Sequence, residues 1–100
     1  MAIHLGYVQM SVTSAVVVDI TALSTTQLKQ DLSYIEITPE TNGLRWRADG
    51  TNPTASVGRP VAAAATAVYD DPAKVVNGNF KIVSQTGTST VNIDFWGGVP

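Results

Sequence analysis

The sequence predicts an all-β fold, a small antiparallel β-sandwich or barrel of about seven short strands. The chain contains 13 valines, 12 threonines and 6 isoleucines, and a branched Cβ suits a pleated strand better than a helix. Short alternating segments are separated by turn residues at intervals of roughly 8–12 residues, as in sandwiches and barrels. With 100 residues, the chain is expected to form a single domain, residues 1–100, around one core.

Seven segments are predicted to be strands because they are rich in β-branched and aromatic side chains. Residues 1–12 are the first, as an N-terminal strand or an arm, and residues 97–100 are expected to form a C-terminal tail. Residues 25–30 support no more than one helical turn or an irregular loop. The other predicted strands are residues 14–21, 33–38, 44–47, 61–69, 80–83 and 90–96.

Two of these strands alternate strictly between apolar and polar residues, which predicts that one face of each covers a core. In residues 33–38, Ile35 and Ile37 share a face opposite Tyr34. In residues 90–96, one face carries Val91, Ile93 and Phe95, and the opposite face carries Asn92, Asp94 and Trp96.

The connection at Asn42 and Gly43 is predicted to be a hairpin turn, because both residue types tolerate positive φ. It would join the strands at residues 33–38 and 44–47. In the second of these strands Leu44 shares a face with Trp46.

The segment at residues 61–69 is ambiguous. Its four consecutive alanines, residues 62–65, favour a helix by propensity, whereas the valines and the tyrosine around them favour a strand. We prefer the strand. Asn77 and Gly78 are expected to turn the chain into the strand at residues 80–83.

The composition argues against several classes of partner. Charged residues make up 14% of the chain and the net charge is −2, so the cationic cluster that nucleic-acid binding needs is missing. There is no cysteine, which rules out disulfides and thiolate chemistry. No apolar run approaches the roughly 20 residues of a membrane span, and the N-terminus does not read as a signal peptide. We expect no nucleic acid, membrane or small-molecule partner.

The residues that could support catalysis also suggest no enzyme. His4 is the only histidine, and it has no second ligand or triad partner at a useful spacing. Asp70 and Asp71 precede Pro72, where aspartates commonly accept hydrogen bonds in a turn. No catalytic residue, metal site or cofactor is therefore predicted.

The Arg45, Trp46 and Arg47 segment allows two interpretations. In the first, Trp46 fills the core while the arginines lie on the outer face and pair with Asp49 or with another acidic side chain. In the second, the arginines and the indole form a binding stripe, since Arg and Trp often anchor protein interfaces.

Tyr34 and Trp96 are expected to point away from the core, each on the polar side of its strand. Outward aromatic side chains on a chain with few charges favour oligomerisation or docking. The candidate protein–protein contacts are Tyr34, Arg45, Arg47 and Trp96.

Residues 45–58 read Arg-Trp-Arg-Ala-Asp-Gly-Thr-Asn-Pro-Thr-Ala-Ser-Val-Gly. With the strands around it, over roughly residues 32–96, this segment resembles a group of small tailed-bacteriophage virion structural proteins. In these proteins an Arg-Trp-Arg-x-Asp-Gly-Thr segment is followed by a Pro-Thr-x-Ser-x-Gly loop. The resemblance implies a place in the phage particle and no enzymatic activity.

The resulting expectation is a capsid decoration or cement protein that forms a homo-oligomer and binds a major virion protein such as the capsid protein. Its location would be the virion, after assembly in the host cytoplasm. A structural role in the tail or at the head–tail connection is an alternative. A carbohydrate-binding β-sandwich, with Trp96 and Tyr34 as stacking platforms, is another.

Overall fold

The computed structural model describes residues 2–15, 17–19 and 32–98, and it confirms the all-β prediction. In these residues, eight strands form two four-stranded antiparallel sheets that share one core, so the fold is a sandwich. The elements in chain order are β1 (Ala2–Thr13), β2 (Val18–Asp19), β3 (Leu32–Pro39), β4 (Leu44–Arg47), β5 (Arg59–Val61), β6 (Ala67–Tyr69), α1 (Pro72–Val76), β7 (Lys81–Ser84) and β8 (Thr88–Gly98).

The two sheets have different strand orders. The first sheet has the order β1-β8-β3-β6, and the second has the order β2-β7-β4-β5. In the first sheet β8 lies between β1 and β3, with Ile37 opposite Ile93 and Ile35 opposite Phe95. The first sheet therefore places the N-terminal strand beside the C-terminal strand.

The core forms between the two sheets from the residues that alternation assigns to it. Ile35, Ile37 and the apolar set of β8 are 0–1% exposed, which confirms the predicted faces of these two strands. Phe80 lies outside the strands and is fully buried. The remaining buried members of the core are Val12, Leu32, Leu44, Val61, Val75 and Ile82.

The predicted hairpin at Asn42 and Gly43 is wrong, because β3 belongs to the first sheet and β4 to the second. The Asn42 side chain donates to the Thr88 carbonyl at 2.9 Å, which keeps the chain beside β8 before it crosses. A Cβ on Gly43 would lie 2.8 Å from the Val61 carbonyl oxygen. Close approach, and not positive φ, is therefore the reason for glycine at this position.

The predicted strand at residues 61–69 is two strands separated by an irregular connection. β5 ends at Val61 in the second sheet and β6 begins at Ala67 in the first. Between them the chain must change sheets, and Ala64 adopts φ 65°. The alanine run thus forms neither a helix nor a continuous strand.

The short helix α1 is absent from the sequence prediction, which assigns only turns to this region. Pro72 occupies its first turn, where a missing N–H costs nothing. Gly78, at φ 78°, follows its end, and its N–H donates to the Val75 carbonyl at 3.2 Å. Asn77 and Gly78 therefore close a helix before β7.

The ends of the chain differ in part from expectation. The N-terminal segment is a strand, β1, and not a free arm. Gly97 and Gly98 belong to β8, while residues 99–100 lie outside the described residues. The predicted strand at residues 14–21 is described as a strand only at Val18–Asp19, and residues 25–30 also lie outside the described part.

Candidate interaction surfaces

The first sheet presents a broad outer face, defined as the face turned away from the second sheet. Its side chains form rows across the strands because the register sets them opposite one another. One row contains His4, Trp96 and Tyr34. The next rows contain Tyr7, Asp94, Glu36 and Val68, and then Gln9, Asn92 and Thr38.

The aromatic row is tightly packed. The rings of Tyr34 and Trp96 are nearly parallel, at 11°, with their centroids 6.1 Å apart. The His4 ring meets the other side of Trp96 edge-on at 4.9 Å. Trp96 Nε1 is buried and has no hydrogen-bond partner among the described residues. Tyr34 and Trp96 are half-buried by these mutual contacts within the sheet.

A polar network crosses the outer face beside the aromatic row. The Tyr7 hydroxyl donates to Asn92 Oδ1. The Gln9 amide donates to the same oxygen and to Glu40 Oε2, each at 3.1 Å. Asn92 Nδ2 donates to Glu40 Oε2 at 2.8 Å. These bonds fix the side chains of β1 against β8.

Charge is distributed unequally between the two sheets. The strands of the first sheet contain no lysine or arginine, while Glu36 and Asp94 face outward in adjacent positions. Asp94 Oδ1 lies 2.8 Å from His4 Nε2. Four of the five cations in the described residues belong to strands of the second sheet: Arg45, Arg47, Arg59 and Lys81. The outer face of the first sheet is therefore acidic.

Arg45 holds the loop that follows β4. Its Nε donates to the Ala55 carbonyl at 3.1 Å and its NH1 to the Gly58 carbonyl at 2.8 Å. Pro53 in this loop is buried. A Cβ on Gly58 would lie 3.1–3.2 Å from atoms of Trp46, Arg45 and Pro53. The loop, residues 49–58, therefore packs closely against β4, and Arg45 is committed to its own chain.

Arg47 is paired with Asp49, as the first interpretation of the arginines anticipates. Its Nε donates to Asp49 Oδ1 at 3.1 Å, and its NH2 donates to the second oxygen. This bond, helped by the Thr51 N–H, lowers the pKa of Asp49 to about 2. The same bond raises the pKa of Arg47. Both groups are charged at neutral pH and neutralise each other.

Trp46 lies at the rim of the core, where the two sheets open between β5 and β6. The centroid of its ring lies 5.2 Å from that of Phe80, and also 5.2 Å from that of Tyr69, which it meets edge-on. The Arg59 guanidinium lies over the Trp46 ring, 6.0 Å from its centroid. An open groove of about 550 Å³ is lined here by Trp46, Arg47, Ala48, Asp49, Gly58, Arg59 and Tyr69.

Tyr69 on the floor of this groove stays protonated at neutral pH. Burial is the main cause that raises the pKa of its hydroxyl, and the carboxylates of Asp71 and Asp70 raise it further. The groove thus combines an aromatic floor with one arginine, Arg59, for which the described residues show no ion-pair partner.

The four candidate contact residues do not form one site. Tyr34 and Trp96 lie together on the first sheet, whereas Arg45 and Arg47 belong to the second sheet and bind the loop beside them. Sequence reasoning missed the His4–Asp94 contact, because the residues are 90 positions apart. Strand alternation alone could not predict this contact, because the contact depends on the pairing of β1 with β8.

The described residues show neither a metal-binding cluster nor a membrane-spanning helix. They contain no group of three or more histidine and carboxylate side chains that could hold a metal ion. The helix found in the same part of the chain is too short to cross a membrane.

Comparison with models of known protein families, with curated proteins and with solved structures found no match to this chain.

Proposed function

We propose that this chain is a structural component of a tailed-bacteriophage virion, most directly a capsid decoration or cement protein. It acts through protein–protein contacts and has no substrate. The observation that carries this proposal is the outer face of the first sheet, a broad surface on which aromatic and hydrogen-bonded polar side chains lie in ordered rows. The resemblance of residues 32–96 to small virion proteins supplies the phage context.

Exposed apolar residues on this face support docking. Val68 is 61% exposed and Tyr7 is 52% exposed, and they lie in the same row as Glu36 and Asp94. Side chains held by neighbours lose little freedom on binding, which favours a rigid contact surface. Because the face is acidic, the complementary surface of the major virion protein would carry arginine or lysine.

The test uses phage particles purified by density gradient from cells that express the chain. We expect the chain to sediment with the particles in a fixed ratio to the major capsid protein, as measured by quantitative mass spectrometry. Val68→Arg should reduce this ratio severalfold, because it places a cation where the partner is expected to carry cations. Val57→Arg is the matched control, since Val57 is 51% exposed but lies in the loop on the second sheet.

The proposal fails if the wild-type chain stays in the particle-free fractions. If the two variants are incorporated equally, the outer face is not the contact surface. A particle that carries the chain only in its tail would support the alternative role in the tail or at the head–tail connection.

Carbohydrate binding is a second candidate, favoured by one observation. Nearly parallel Tyr34 and Trp96 rings lie beside outward carboxylates and amides, and aromatic platforms with such polar neighbours stack against sugar rings. Against it, both rings are half-buried. Binding to a panel of glycans tests this candidate. If the chain binds a glycan and Trp96→Ala abolishes that binding, carbohydrate binding replaces our first proposal. If no glycan binds, the result agrees with the first proposal.

A further inference from the structure

The outer edge of β1 is the longest open strand edge in the part of the chain that the structure describes. β1 is 12 residues long and pairs with β8 on one side, and the described residues place no strand on its other side. The other three edge strands are much shorter: β2 has 2 residues, and β5 and β6 have 3 each. β5 also contains Pro60, which has no N–H to offer a neighbouring strand.

The composition of β1 does nothing to block pairing. Proteins normally protect an exposed edge with lysine or another charge, with proline, or by shortening the strand. β1 contains no Lys, Arg, Asp, Glu or Pro. Two of the exposed large hydrophobic residues, Ile3 at 54% and Tyr7 at 52%, belong to it. One irregularity between His4 and Gly6 leaves residues 6–13 as a regular stretch.

This edge is held in a conformation ready for pairing. Tyr7 and Gln9 are fixed by bonds to Asn92 and Glu40, and His4 is fixed by Asp94. These side chains turn towards β8, so they do not cover the outer backbone edge. A strand that is already ordered loses little conformational entropy when a second strand adds to it.

We infer that β1 pairs antiparallel with β1 of a second copy of this chain, about a two-fold axis near Gln9 or Met10. Two-fold pairing repeats every charge of one strand on the other at the same distance from the axis, so a charge near the axis would lie close to a like charge. The uncharged β1 avoids this conflict. The inference rests on the proposed function, a role in protein–protein contacts, and it names one such contact, between two copies of the chain.

Disulfide cross-linking tests the register directly, because the chain has no cysteine of its own. An axis at Gln9 sets Gln9 opposite Gln9 of the second copy, and an axis at Met10 sets it opposite Ser11. Directly opposite Cβ atoms lie about 4.5–5.5 Å apart, and a disulfide needs about 3.5–4.5 Å, so a small shift of the paired strands allows the bond to form. We expect rapid cross-linking of Gln9→Cys alone, or of Gln9→Cys mixed with Ser11→Cys. Ser56→Cys, at an exposed loop serine, is the control and should cross-link at least about tenfold more slowly.

A second variant tests the same contact without new covalent chemistry. Ser11 is exposed on β1, and Ser11→Lys introduces the charge that natural edges use against pairing. We expect it to weaken dimer formation by about tenfold or more in sedimentation, while thermal unfolding of the monomer stays cooperative. Ser56→Lys should leave dimer formation unchanged.

Two results overturn the inference: a wild-type chain that is monomeric from micromolar to millimolar concentration, or a dimer that Ser11→Lys leaves intact. These failures differ from failure of the proposed function. A chain that pairs through β1 but is absent from particles contradicts only the virion role. A chain that is incorporated in particles but neither dimerises nor cross-links contradicts only the pairing.

Discussion

At the scale of single residues, Ala64 carries local backbone strain. It is the one non-glycine residue with positive φ in the described part of the chain, at 65°. The left-handed region costs an L-residue with a Cβ roughly 1–2 kcal/mol. The Ala64 N–H donates to the Pro39 carbonyl at 2.7 Å, which holds this conformation where the chain changes sheets.

Ala64→Gly is therefore expected to leave stability unchanged or raise it by up to about 1 kcal/mol. Glycine relieves the strain but adds freedom to the unfolded chain. Ala62→Gly is the matched control, because Ala62 is also exposed but lacks positive φ, and it should lose about 0.5–1 kcal/mol. Urea unfolding measures both. If both variants lose the same stability, Ala64 is not strained.

Asp49 provides the pH dependence that this structure predicts. Its folded pKa of about 2 lies below the ordinary 3.8, so its pairing with Arg47 stabilises the folded state above about pH 4 and is lost as pH falls towards 2. The Thr51 amide, which donates to Asp49 Oδ1 at 3.1 Å, reports this titration by NMR. Its chemical shift should move with a midpoint near pH 2, and in Arg47→Gln the midpoint should rise towards the ordinary carboxyl value. Equal midpoints would contradict the pairing.

At the scale of elements, Arg45 and the loop at residues 49–58 form one unit. A guanidinium reaches two carbonyls at once, which a lysine ammonium on a flexible stem cannot do with the same geometry. The order Arg-Trp-Arg followed by a proline- and glycine-containing loop thus has a local structural purpose. It joins β4 to β5 across a close backbone approach at Gly58.

Arg45→Lys should destabilise the chain by about 2 kcal/mol, because a partly buried charged group loses good hydrogen bonds. Arg59→Lys is the control. In the described residues Arg59 shows only the contact with the Trp46 ring, so its loss should stay near 0.5–1 kcal/mol. Chemical denaturation, followed by the fluorescence of the two tryptophans, distinguishes the two variants. Equal losses would mean that the Arg45 bonds do not hold the loop.

Some elements of the fold could be predicted from the sequence and others could not. Alternation predicted the buried faces of β3 and β8, because one side of each strand must cover the core. It could not predict that the chain crosses between sheets at Asn42 and Gly43, because turn propensity is local and sheet membership depends on distant strands. The helix α1 has only 5 residues, too few for a helical period to show.

For the candidate contact residues too, positions within a strand could be predicted, whereas contacts that depend on the fold of a loop could not. Outward positions of Tyr34 and Trp96 could be predicted from parity within a strand, and the structure places them side by side. The bonds of Arg45 to Ala55 and Gly58 depend on how a loop folds back, which strand periodicity does not encode.

At the scale of the whole molecule, the chain has two unlike sides. The first sheet has an acidic outer face and a long open edge at β1, while the strands of the second sheet carry most of the cations and a covering loop. This asymmetry fits the two contacts that we propose. In that proposal copies pair through the edge of the first sheet, and the outer face beside it remains available for the major virion protein.

Amide hydrogen exchange along β1 directly tests whether copies of the chain make contact through the first sheet. In a free edge strand, amides alternate between those protected by β8 and those open to water. Pairing with a second copy protects both sets. We predict slow exchange at consecutive amides over residues 6–12 at concentrations where the mass is twice 10.5 kDa. Slow and fast exchange at alternate residues under those conditions would contradict it.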